Sequence, residues 1–85
     1  MNWKVRITGP AQRDLEQLPT ALAARILSTI ERFAQTEHGD IKKLQGASEE
    51  WRLRVGAYRV RFLRDEPSHT LEVLRVLPRG RAYRD

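Results

Sequence analysis

The residues of this chain whose type and spacing could do chemistry are its arginines, which on a sheet face are either ordinary solvated surface or a site for an anion. Between Trp51 and Arg64, five arginines and no acid fall within fourteen residues. Arg52 and Arg54 alternate with Trp51, Leu53 and Val55, and Arg59 and Arg61 alternate with Tyr58, Val60 and Phe62. A guanidinium is planar, stays protonated and grips a phosphate or carboxylate at two points, so a row of them suits a polyanion. Thirteen of the sixteen basic residues are arginine. A second candidate lies near the C-terminus, where Tyr83 sits among Arg79, Arg81 and Arg84. That tyrosine reads either as a packing anchor or as a phenol whose proton the neighbouring cations make easier to lose. Lys42 and Lys43 precede the arginine run, and the only other lysine is Lys4.

Other chemistries find little support. The absence of cysteine excludes disulfides, thiol nucleophiles and cysteine zinc sites. His38 and His69 fall in or beside predicted loops without spacing to a second ligand, so no metal site is expected. There is no glycine-rich phosphate loop, and no serine or threonine is read as a nucleophile activated by a histidine. We expect no cofactor. Glu49-Glu50 is a carboxylate pair on a predicted turn, where a solvated cap or a partner for a nearby arginine is the expected role.

The period-two alternation that sets out the arginines predicts two antiparallel strands joined at Gly56-Ala57. One face of this hairpin would be buried and the other would carry the arginines, and like charges opposite one another destabilise a hairpin unless something anionic binds there. Upstream, Trp3 to Ile7 reads as a strand, with Gly9 and Pro10 as N-cap and first residue of a short helix bearing Ala11, Leu15 and Leu18. Pro19 ends it. From Thr20 to about Gln35, Leu22, Ala23, Ile26, Leu27, Ile30, Phe33 and Ala34 recur at helical spacing. Lys42 to Gly46 is expected to be an irregular approach to the sheet, and Pro78 to Asp85 a basic tail without periodicity. Thr70 to Leu77 is a last strand of ambiguous facing, as expected of a central strand covered on both sides: Leu71 and Val73 share one face, Leu74 and Val76 the other. The expected architecture is α+β, β-α-α-β-β-β, with an antiparallel-dominated sheet and a helical hairpin packed on one face.

At 85 residues the chain is read as a single domain, 1–85, with room for one sheet and a helix or two. Residues 1–50 carry seven basic and seven acidic side chains, so the whole net charge of +5 lies in residues 51–85. No apolar run approaches a membrane span and no signal-peptide pattern opens the chain, so no membrane partner is expected and the cytoplasm is the expected location.

Leu15-x-x-Leu18-Pro19, Lys43-Leu44-x-Gly46, Trp51-Arg52-Leu53-Arg54-Val55-Gly56-x-Tyr58-Arg59-Val60, Val76-x-x-Arg79 and Tyr83 together resemble, in order and spacing, the RelE/ParE superfamily of toxins from type II toxin–antitoxin pairs. The resemblance implies a small sheet with a helical hairpin on one side and, as partner, a cognate acidic antitoxin in a hetero-oligomer. In RelE-like members the open sheet face binds messenger RNA on the ribosome, and a 2′-hydroxyl attacks the adjacent phosphate. By that resemblance the catalytic set is Arg54, Arg59, Arg79 and Tyr83, with Arg59 on the phosphate and Arg79 on the transition state. Arg52, Arg61, Lys42, Lys43 and Arg81 would bind RNA. Arg54 stands where some members carry a lysine credited with proton transfer, a role that a guanidinium does not fill; Tyr83, Lys42 or Lys43 would take it. ParE-like members of the same superfamily act on DNA gyrase instead, and a non-catalytic basic binding module is a further alternative.

Overall fold

The computed structural model describes residues 2–46 and 49–82, with the backbone alone at 81 and 82. The chain runs β1 (Lys4–Ile7), α1 (Gly9–Glu16), α2 (Thr20–Thr36), β2 (Ile41–Lys43), β3 (Glu50–Val55), β4 (Tyr58–Asp65), β5 (Thr70–Pro78) and α3 (Arg79–Ala82). The strands form one five-stranded sheet in the order β1-β5-β4-β3-β2. Only β1 and β5 are parallel; the other pairings are antiparallel. The α+β class and the antiparallel-dominated sheet are as the sequence predicts. β2 and α3 are additions to the predicted order, and both are too short for a hydrophobic period to reveal them. β2 replaces part of the irregular approach, its three residues pairing Ile41 with Leu53, Lys42 with Arg52 and Lys43 with Trp51. α3 replaces the start of the tail, and the Arg79 N–H donates to Ala57 O at 2.8 Å, tying this turn to the β3–β4 connection.

Helix α1 starts differently from the expectation. Its N-cap is Thr8, whose hydroxyl oxygen accepts from the Ala11 N–H at 3.5 Å and donates to Val73 O at 2.7 Å. Gly9 has no side-chain oxygen with which to cap, so the cap falls one residue earlier and Pro10 lies in the first turn, where its missing N–H costs nothing. Helix α2 buries Ile26, Ile30, Phe33 and Ala34, the stripe expected from its spacing. It ends at Glu37, left-handed at φ 59°, whose N–H donates to Phe33 O at 2.7 Å. The helix stripes meet Leu53, Val55, Val60, Phe62, Leu71, Val73 and Val76 in one core, and Phe33 lies 5.7 Å from Phe62 ring to ring.

The ambiguous facing of β5 has a local cause. Arg61 pairs with Arg75 but Phe62 pairs with Val73, so Leu74 is an extra residue, a β-bulge that shifts the alternation by one. Leu71, Val73 and Val76 can therefore all join the core despite their spacing. The β3–β4 turn also sets a register. Gly56 has φ +59° and Ala57 does not, the pattern of a type II′ turn, which aligns Val55 with Tyr58, Arg54 with Arg59 and Arg52 with Arg61.

Candidate nucleic-acid interface

Strand alternation puts Leu53 and Val55 in the core and turns Arg52 and Arg54 to the other face of the sheet, with Arg59 and Arg61 directly opposite them on β4. Extended through the neighbouring strands, the registers set two basic rows side by side. The row nearest the β3–β4 turn is Arg54, Arg59 and Leu77. The next is Lys42, Arg52, Arg61 and Arg75, a cation on each of four successive strands. Beyond it the sign changes, with Glu50, Leu63 and Glu72 followed by Arg6 on β1, which is ion-paired to Glu72.

Such a four-cation row would repel itself, and the fold supplies anions to most of it. Arg52 Nη1 donates to Asp40 O at 3.0 Å and to Asp40 Oδ1 at 3.1 Å. Arg61 Nη2 donates to Glu50 Oε1 at 2.6 Å, with both side chains largely covered. Arg75 reaches α1, its Nε and Nη2 meeting Asp14 Oδ2 and Oδ1 at 2.8 and 3.1 Å, while Asp14 Oδ2 also accepts the Val76 N–H at 2.9 Å. Part of the anion that the hairpin demands is thus intramolecular. Of the candidate residues, Lys42, Arg54 and Arg79 are exposed and have no ion-pair partner among the described residues.

The remaining candidates are placed less uniformly. Arg59 is only 3 % exposed, at the end of the sheet that α3 packs against, with Nη1 3.4 Å from Tyr58 O. Lys43 is exposed but ion-paired to Glu49 at 3.1 Å, and its register partner Trp51 belongs to the helix side of the sheet. Arg81 lies on α3, and Tyr83 lies outside the described residues. Arg64, the fifth arginine of the hairpin, is on the helix side, over Trp3 at 5.0 Å and Trp51 at 5.2 Å, with Glu37 accepting at 3.2 Å. His69 stacks on Trp3 at 4.0 Å.

Of the two roles expected of the Glu49-Glu50 pair, solvated cap or arginine partner, Glu50 takes the second, on Arg61. Local pattern does not reveal Arg75, because the bulge at Leu74 disguises its facing, nor Asp14 and Asp40, which are distant in sequence from the arginines they hold. The exposed cations Lys42, Arg54 and Arg79 are the ones placed to meet an anion from solvent.

Residues 5–83 match the family model described as ParE toxin of the type II toxin–antitoxin system, parDE. The chain is 30% identical over 90 residues to Toxin RelE of Mycobacterium tuberculosis, covering 96% of this chain and 87% of that protein. It superposes on the toxin–antitoxin complex RelBE2 of the same organism with a TM-score of 0.82 and 27% identity, over 93% of this chain and 100% of the other. The archaeal RelE–RelB complex of Pyrococcus horikoshii OT3 gives a TM-score of 0.78 and 29% identity, over 95% and 99% of the two chains.

Proposed function

The chain belongs to the RelE/ParE family of type II toxin–antitoxin toxins, and from that premise we propose that it is a metal-independent endoribonuclease that cuts messenger RNA on the ribosome in the cytoplasm. The observation that carries this reading is the set of exposed cations, Arg54, Arg79 and Lys42, bordering in-register arginine rows on the face the α1–α2 hairpin leaves open. Attack of a 2′-hydroxyl on the adjacent phosphate gathers negative charge on the phosphate oxygens and releases a 5′-oxygen that must be protonated. Arg79 and Arg54 answer the first need as donors aimed at that charge. Arg59, buried beside Arg54 in the same row, adds to the positive field there. Protons move through Tyr83 or Lys42; Lys42 is preferred to Lys43 because it shares the arginine row, whereas Lys43 is held by Glu49. A cognate acidic antitoxin would silence the protein by placing carboxylates on Lys42, Arg54 and Arg79 in a hetero-oligomer.

The match to the ParE model supports a second reading, inhibition of DNA gyrase. Induction of the toxin in growing cells separates the two. Cleavage of translated messages within minutes, mapped by primer extension, is the expected result. DNA breaks with intact messages would replace the ribonuclease reading by the gyrase one.

A further inference from the structure

The middle row of the arginine face is matched from within, and the match is graded. Glu50 meets Arg61 at 2.6 Å with side-chain exposures of 17% and 16%, a shielded, charge-assisted contact. Asp40 meets Arg52 at 3.1 Å, but its own side chain is 56% exposed. Arg52 also holds the Asp40 backbone carbonyl at 3.0 Å, a contact any residue at position 40 retains. Arg52 and Arg61 are direct cross-strand partners, so each carboxylate relieves repulsion in the fold and also removes a cation from the surface offered to solvent.

We propose that Glu50, and to a lesser degree Asp40, are specificity-determining residues: by holding Arg61 and Arg52 they keep the centre of the face from gripping arbitrary RNA and leave recognition to Lys42, Arg54 and Arg79. An RNA phosphate competing for Arg61 must displace a carboxylate already in contact, whereas one arriving at Arg54 displaces only water. A face without these carboxylates would hold any single strand by charge alone, since backbone contacts carry no sequence information. The inference rests on the RNA-directed reading for its biological target, but its measurement does not need cleavage.

The experiment is binding of the full chain to a 2′-O-methyl oligo-U, which offers no 2′-hydroxyl nucleophile, over a range of salt. Glu50→Gln is expected to raise affinity at low salt about two- to fivefold and to steepen the plot of log K against log salt by about 0.7, the increment for one more phosphate contact on a single strand. Asp40→Asn should move both quantities in the same direction by less. Adding Arg61→Gln to Glu50→Gln should return both to the wild-type values, because the gain passes through Arg61. Unchanged or weaker binding by Glu50→Gln together with a lower melting temperature would overturn the proposal and leave the carboxylate a purely structural role. If Glu50→Gln does not fold, an Asp40→Asn variant without any gain in affinity or slope overturns it equally. Wild-type protein that damages DNA in cells while Glu50→Gln still gains oligo-U affinity would remove the ribonuclease reading and keep this one.

Discussion

Arg64 and Arg54 belong to the same hairpin and to opposite faces of the same sheet. Arg64 lies over the rings of Trp3 and Trp51, with Glu37 completing its contacts, and its side chain is 18% exposed. Arg54 is exposed, and what approaches it is solvent or a partner. The helix face absorbs a cation into its packing through ring faces and one carboxylate, so the cation serves the fold. The opposite face lines up cations across strands, repays part of the repulsion from within, and presents the rest. Residue type is the same in both places; strand parity and the elements that cover each face decide the use.

The sharpest way to test that division is to damage each face alone. Phe33→Ala removes a ring that is 1% exposed and packs on Phe62, and a cavity of that kind typically costs about 3–5 kcal/mol. For a domain this small, with a total stability toward the low end of the usual ~5–15 kcal/mol, urea denaturation should reveal a population largely unfolded at 37 °C, with toxicity lost alongside. Arg79→Ala should do the reverse. Its side chain is exposed at the start of α3, so the urea midpoint should stay put while the single-turnover rate on programmed ribosomes falls about 10²–10³-fold. A loss of stability equal to the loss of rate would mean that the arginine face is structural.

Asp14 is where the two faces are bound together. Its carboxylate leaves α1 to hold Arg75 at two points and to accept the Val76 N–H, just beyond the bulge. Asp14→Ala leaves that buried amide and the guanidinium without this acceptor, and a cost of about 2–3 kcal/mol in denaturant is expected. Asp14→Asn, which keeps an acceptor oxygen, should recover part of it. Equal losses for the two would show that the charge rather than the acceptor geometry secures α1 to β5.

How far the sequence discloses this arrangement depends on the range of the interaction involved. The hairpin with its arginine pairs is legible because alternation and a glycine turn are local signals, and Gly56 alone sets the register that puts Arg52 opposite Arg61. The α2 stripe is legible for the same reason. β2 and α3 span less than the period that would betray them, and the bulge at Leu74 reverses the facing of Arg75 with no marker in composition. Alternation sets Arg59 on the open face, yet it lies buried where β4 and β5 meet α3, a fact of tertiary packing that alternation does not encode.

The smallest effect belongs to Glu37, and it discriminates between the faces most finely. This residue combines two opposed terms: a left-handed backbone at φ 59°, which costs a side-chain-bearing residue about 1–2 kcal/mol, and a carboxylate on Arg64 that is 37% exposed and worth about 0–1 kcal/mol. Glu37→Gly removes both terms, and the added chain entropy of glycine offsets much of the relief, so stability should stay within about 0.5 kcal/mol of wild type. Glu37→Gln keeps the backbone cost and loses only the charge, so it should be the less stable of the two. Neither change should alter oligo-U affinity, because Arg64 freed from Glu37 remains stacked between Trp3 and Trp51 on the helix side. If Glu37→Gln raised affinity and salt slope as much as Glu50→Gln, freeing a cation anywhere on the surface would suffice, and the distinction between a face that packs its arginines and a face that presents them would fail.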